Sequence, residues 1–319
     1  MKDGFIKVAA GTPDVQVADC EFNAAEIIKM VREMEAEGAK VMVFPELCIT
    51  AYTCGDLFWQ ENLLEEAKVQ LVRIAEETAD VDAIIFVGLP LEYKGKLYNV
   101  AAGLNHGEIL GFVPKTYLPN YNEFYEARYF TSGEDVDGTV TIRRSEYGLH
   151  HDEEMTDEDV EFGLEAELEA LEEEDSFEEL EEIDEEPDYI DEDETEEFDE
   201  VDVPISSNIL FICQEMPKLK IAAEICEDLW VPNPPSVGHA YHGANLIVNL
   251  SASDEVVGKD SYRKSLVSAQ SARLLCGYIY ATAGEGESTQ DVVYGGHNLI
   301  AENGTILAES RRFVNGALY

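Results

Sequence analysis

Ile221–Trp230 reads IAAEICEDLW. An apolar run leads straight into Cys226, acids flank the cysteine, and Trp230 follows. A buried strand that ends on a thiol beside a sharp turn suits a nucleophile: the thiolate attacks, and the N–H groups of the turn hold the oxyanion that forms. A cysteine after an apolar strand is also a common packed core residue, so this segment has to be weighed with others.

Val41–Asp56 reads VMVFPELCITAYTCGD. Pro45 stops the apolar strand, leaving Glu46 at its carboxyl end, where open α/β sheets place their chemistry. A carboxylate there serves as a general base when its surroundings raise its pKa; otherwise it is a surface charge. Gly111–Phe130 reads GFVPKTYLPNYNEFYEARYF. Lys115 follows Pro114 at the end of a further apolar strand, Glu108–Val113. It reads either as a solvated charge or as a buried cation that lowers a thiol pKa and steadies an oxyanion. Glu, Lys and Cys thus each fall just past the end of an apolar strand.

Around these points, strand and helix patterns alternate. Phe5–Ala10 opens as a strand. Asn23–Glu37 carries Ile27, Ile28, Val31 and Met34 on one helical face, and Gly38 is placed to cap it before strand Lys40–Phe44. Asn62–Thr78 is a second helix and Ala83–Gly88 a strand. Leu97–Leu104 and Glu108–Val113 form a hairpin turning at Asn105, His106 and Gly107. Further on come strands Asn208–Gln214, Lys218–Ile225 and Asn245–Asn249, helix Lys264–Leu275 and strand Gly277–Ala283. A last hairpin, His297–Ala301 with Gly304–Glu309, turns around Asn303. Helices on the faces of mixed sheets make an α/β sandwich.

The 319 residues suffice for one large domain. The net charge of −47 is concentrated: residues 151–203 hold about thirty acids and no Lys or Arg. Such a charge argues against nucleic acid as a partner. Mutual repulsion makes the block an expected disordered insertion; a docking arm for a basic partner or a loose cation-binding tract are the alternatives. No apolar run reaches membrane-spanning length and the N-terminus has no secretory core, so a cytoplasmic protein is expected. Six cysteines without a CxxC pair or zinc spacing predict a reducing compartment and no structural metal.

The Glu46–Lys115–Cys226 constellation resembles the nitrilase, or carbon–nitrogen hydrolase, superfamily. The closer resemblance is to the glutamine-hydrolysing domain of glutamine-dependent NAD synthetases. It rests on FPELCITAYTCGDLF (Phe44–Phe58), PKTYLPNYNEFYEARYF (Pro114–Phe130), EICEDLW (Glu224–Trp230), NLSASDEVVGK (Asn249–Lys259) and GGHNLIAENGTILAES (Gly295–Ser310). It covers the chain apart from roughly residues 134–205.

The resemblance implies a four-layer αββα sandwich spanning residues 1–319, interrupted by an insertion at about 134–205. It implies glutamine hydrolysis to glutamate and ammonia through a Cys226 thioester, with Glu46 as base. Lys115 and the Glu227 backbone N–H would hold the oxyanion. Glu123 takes the place of a supporting carboxylate, with Glu126 as the other choice. Tyr52, Tyr121, Glu227, Ser253 and Lys259 match substrate-binding positions; family members often carry Arg at the position of Lys259, and Lys lacks the bidentate fork. Asp228, Trp230, Tyr117 and His297 read as scaffold. No SGGxDS or GxxxxGK phosphate loop is present, so ATP and Mg2+ would belong to a synthetase half outside this chain, which would take the ammonia to amidate nicotinic acid adenine dinucleotide. No cofactor is expected for the domain itself. A homo-oligomer is implied, because the superfamily pairs its sandwiches. A free-standing amidase for another small amide, and a non-enzymatic scaffold using the acidic block, are the competing readings.

Overall fold

The computed structural model describes residues 4–143 and 200–319. Strands β1 (Val8–Thr12), β2 (Val41–Val43), β3 (Ile84–Tyr93), β4 (Lys96–Asn105) and β5 (Glu108–Pro114) belong to one sheet. So do β6 (Asp137–Arg143), β7 (Glu200–Ser206) and β14 (Gly316–Leu318), in the order β14-β1-β2-β3-β4-β5-β7-β6. The second sheet contains β8 (Phe211–Ile212), β9 (Lys220–Ile225), β10 (Leu246–Ser251), β11 (Gly277–Thr282), β12 (Leu299–Glu302) and β13 (Thr305–Glu309). Its order is β13-β12-β11-β10-β9-β8, with β9, β10 and β11 parallel.

Alternating burial sorts the side chains into layers. Val41, Val43, Phe86 and Ala101 of the first sheet form one apolar cluster with Ala223, Ile225, Val248 and Ile279 of the second, so the sheets stack face to face. The outer face of the first sheet, with Met42, Ile85 and Ala102, packs on helices α1 (Cys20–Ala36) and α2 (Glu61–Glu77). The outer face of the second, with Ala222, Ile247 and Tyr278, packs on Val267 of α4 (Lys259–Leu274). This is the expected αββα sandwich. A short helix, α3 (Pro235–Tyr241), lies ahead of β10.

Local chemistry explains the element ends. The Asp19 carboxylate caps α1 by accepting from the Phe22 N–H at 3.0 Å. Gly38 leaves that helix at φ +81°, as its position predicts. His106 and Gly107 (φ +49° and +80°) turn β4 into β5, and Asn303 and Gly304 (φ +48° and +86°) turn β12 into β13.

Several expectations shift. The first strand lies later than Phe5–Ala10, the strand expected at Asn208–Gln214 shrinks to two residues, and α4 begins at Lys259 rather than Lys264. Within the expected insertion bounds of 134–205 lie β6 and all of β7 but Ser206, which pair antiparallel, with Arg143 opposite Glu200. DGTVTIR and EVDVPIS alternate polar and apolar residues, a strand signal masked by the neighbouring charge. The rest of the acidic block, where disorder was expected, lies outside the described residues. Among the described residues, no helix is long and apolar enough to cross a membrane.

One contact ties the fold to the chain segment carrying Glu46. A β-carbon on Gly88 of β3 would lie 2.3 Å from the Leu47 nitrogen and 2.8 Å from the Pro45 carbonyl oxygen. The turn after β2 therefore rests directly on the β3 backbone. Gly88→Ala is expected to lower stability by about 1–3 kcal/mol, read by denaturant unfolding, and to cut activity more than stability alone accounts for. Parental stability and activity in this variant would show that the turn is not wedged against β3.

Candidate active site

Glu46 follows β2, Lys115 follows β5, and Cys226 follows β9. The first two strands belong to one sheet and the third to the other, so the site forms where the stacked sheets present their carboxyl edges. Cys226 begins a single 3-10 turn, Cys226–Leu229, with φ +44°. That is an unusual backbone state for a non-glycine residue, and it persists where neighbouring contacts over-determine it.

Lys115 is the centre of the cluster. Its Nζ lies 2.6 Å from Glu46 Oε1 and 2.6 Å from Glu126 Oε1, and the Lys115 and Glu46 side chains are wholly buried. Asn99 Nδ2 donates to Glu46 Oε1 at 2.6 Å, and the Ala252 N–H donates to Glu46 Oε2 at 2.9 Å. Both oxygens of the candidate base are thus oriented. The Tyr52 hydroxyl donates to Glu126 Oε1 at 2.8 Å.

Burial alone would lower the Lys115 pKa, but the Glu126 and Glu46 carboxylates outweigh it and hold the ammonium well above its ordinary value. Burial pushes Glu126 up to about 7, with Lys115 pulling it down and Glu46 pushing it up. The Cys226 thiol is raised by burial first and then by Glu46, while Lys115 opposes the rise. At rest Cys226 is therefore a thiol, and a nucleophilic role for it would require that its proton be taken as substrate is engaged.

Cys226 opens onto a cavity of about 400 Å³ bordered by Tyr121, Glu123, Glu227, Trp230, Ser253 and Lys259. Both Glu227 oxygens accept from the Tyr121 hydroxyl, at 3.0 and 2.9 Å. Lys259 pairs with Asp254, and its Nζ lies 5.4 Å from the ring centres of both Phe124 and Trp230. Ser253 is fixed by its N–H to Thr282 Oγ1 at 3.0 Å and by Arg263 Nη2 to its Oγ at 3.2 Å. Four of the five expected substrate contacts, Tyr121, Glu227, Ser253 and Lys259, thus share the thiol's cavity.

The structure places two expected residues differently. The carboxylate against Lys115 is Glu126, the second choice, and not Glu123. The chain enters a 3-10 turn at Glu126–Arg128, which buries Glu126 and leaves Glu123 on the cavity wall. Tyr52 does not border the thiol cavity; it stands behind Glu126, beside a separate space of about 130 Å³. Asn99, which donates to Glu46, was not anticipated as part of the site. Asn99 carried a signal, since it is a polar residue inside the apolar strand LYNVAAGL. Among the described residues, no cluster of His, Cys, Asp or Glu is arranged to hold a metal ion.

The carbon–nitrogen hydrolase family model matches residues 7–319. The chain is 34% identical over 313 residues to a glutamine-dependent NAD(+) synthetase of Mycobacterium tuberculosis, covering 98% of this chain and 38% of that protein. It is 27% identical over 298 residues to the same-named protein of Aquifex aeolicus, covering 93% of this chain and 39% of that one. Among solved structures, a glutamine-dependent NAD(+) synthetase from Cytophaga hutchinsonii superposes with a TM-score of 0.71 at 25% identity, over 98% of this chain and 42% of that one. An amidase from Nesterenkonia sp. shares the fold, with a TM-score of 0.65 at 16% identity, over 100% of this chain and 90% of the amidase.

The electrostatics predict opposite effects from one substitution. In Glu46→Gln, loss of the neighbouring anion should make Cys226 more easily ionised, so iodoacetamide labels it faster at neutral pH. Turnover should nonetheless fall by roughly 10²–10⁴-fold as the base is lost. Labelling slower than in the parent would show that Glu46 does not raise the thiol.

Proposed function

The chain belongs to the carbon–nitrogen hydrolase family, and we propose that it is the glutaminase domain of a glutamine-dependent NAD synthetase. The observation that carries this reading is the buried Glu46–Lys115–Glu126 cluster beside a thiol that opens onto a charged cavity. The relatives named glutamine-dependent NAD(+) synthetase support the choice of glutamine; the chain spans 38% of the length of the M. tuberculosis protein.

In this mechanism glutamine enters the Cys226 cavity with its side-chain amide toward the sulfur. Lys259 is the cation for its α-carboxylate, while Glu227, Tyr121 and Ser253 offer acceptors and donors to its α-amino and carboxylate groups. Glu46 takes the thiol proton as Sγ attacks the amide carbon. The carbonyl oxygen becomes an oxyanion, steadied by Lys115 and the Glu227 N–H. Glu46 returns the proton to the departing nitrogen, which leaves as ammonia, and a thioester remains. Glu46 then activates water, the thioester is cleaved to glutamate, and the thiol is restored.

The ammonia would pass to a synthetase domain that amidates nicotinic acid adenine dinucleotide to NAD; ATP and Mg2+ belong to that half, and this domain works without a cofactor. The six free cysteines fit a reducing, cytoplasmic setting. We place the domain in a homo-oligomer, the arrangement its family resemblance implies.

The test is ammonia and glutamate release from glutamine by the chain and by Cys226→Ala, with other small amides as controls and a synthetase half added in trans. Glutamine-selective release that disappears in Cys226→Ala is expected. Turnover of other amides but not glutamine would instead identify a free-standing amidase. Inactivity on every amide, even with the synthetase half present, would overturn the reading.

A further inference from the structure

We infer that Asp228 is a positioning residue: its buried carboxylate clamps the Cys226 turn to the chain that carries Lys115. The inference deepens the hydrolase reading above and rests on the assignment of Cys226 and Lys115 made there.

Asp228 is 1% exposed. Its Oδ2 accepts from the Ile225 N–H at 2.9 Å, which closes the turn around Cys226. Its Oδ1 accepts from the Tyr117 N–H at 2.8 Å, and the Thr116 N–H makes a longer contact to Oδ2 at 3.5 Å. Ile225 ends β9 in the six-stranded sheet, whereas Thr116 and Tyr117 continue from Lys115 after β5 in the eight-stranded sheet. One carboxylate therefore joins the two sheets at the edge where the site lies.

The donors explain why an acid stands here. All three are backbone N–H groups, so the carboxylate senses the path of the chain and not the identity of neighbouring side chains. A carboxylate has acceptor positions on both oxygens; an Asn would turn an NH2 donor toward one of these N–H groups. The bond from Ile225 also helps hold Cys226 at φ +44°. The bonds from Tyr117 and Thr116 fix the backbone next to Lys115. Its own peptide is already held by the Asn99 carbonyl, which accepts from the Lys115 N–H at 2.8 Å, and by the Gly133 N–H, which donates to the Lys115 carbonyl at 2.8 Å. With both ends set, the ammonium keeps a fixed relation to the sulfur it stabilises. Asp228 touches no reacting atom; it acts through the two groups that do.

The experiment uses the whole chain and measures iodoacetamide labelling of Cys226, read on its own peptide so that the other cysteines do not contribute. Parent, Asp228→Asn, Lys115→Met and the double variant are compared. Asp228→Asn should slow labelling about tenfold, equivalent to raising the thiol by one pKa unit. On the Lys115→Met background it should add less than about a further twofold, because the two changes remove one shared interaction. Labelling of Asp228→Asn within about twofold of the parent, or an equal loss on both backgrounds, would overturn the clamp. Should Asp228→Asn not fold, Tyr117→Pro removes one bond from the opposite side; slowed, Lys115-dependent labelling supports the inference and a parental rate overturns it. Labelling needs no amide substrate, so failure to hydrolyse glutamine even with a synthetase half present would sink the glutaminase reading and leave the clamp standing.

Discussion

A single ammonium, Lys115, sits between two carboxylates with the Lys115 and Glu46 side chains wholly out of water, and the surrounding structure is organised to make that possible. Buried charges carry a large desolvation penalty, and their attraction offsets it only with good geometry and further hydrogen bonds. Asn99, the Ala252 N–H and Tyr52 provide those bonds from three different parts of the chain. Removing Lys115 would leave two buried carboxylates without their cation. The cluster thus constrains the fold as much as the fold positions the cluster.

Stacked sheets suit this task because their parallel strands end on one edge. β2 and β5 deliver Glu46 and Lys115 from one sheet, and β9 delivers Cys226 from the other. The apolar interface between the sheets fixes the distance between those edges. Close packing of Gly88 against the Pro45–Leu47 backbone then sets the height of Glu46. No loop has to bring the three groups together, so little conformational entropy is left to be lost when substrate arrives.

Glu46, Lys115 and Cys226 were legible in the sequence because each interrupts an apolar run at its end, a pattern set by backbone periodicity and chain direction. The sandwich was legible for the same reason, with its exact layering supplied by resemblance. Glu126 was harder to separate from Glu123, because the intervening residues have neither helical nor strand period, and a 3-10 turn decides which carboxylate is buried. Tyr52 could be placed near the site but not on a given side of Glu126. Strands β6 and β7 were hidden by charge, although their alternation was present. Asp228 reads as scaffold in the sequence, and its backbone N–H partners leave no trace in side-chain identity.

Burial first, and then this arrangement of charge, raises the Cys226 thiol. A thiolate formed at rest would stand as another anion beside Glu46 and Glu126, with Lys115 as the cation they share. In the proposed reaction, proton transfer from sulfur to Glu46 would avoid that accumulation, because one anion disappears as the other forms. Attack would then move the negative charge from sulfur to the amide oxygen, toward Lys115 and the Glu227 N–H. Whatever the protonation state of Glu126, the net charge of the cluster is the same before proton transfer, after it and in the tetrahedral intermediate. The protein therefore has only to favour a displacement of charge over a short distance, the task that fixed, water-excluded donors perform best.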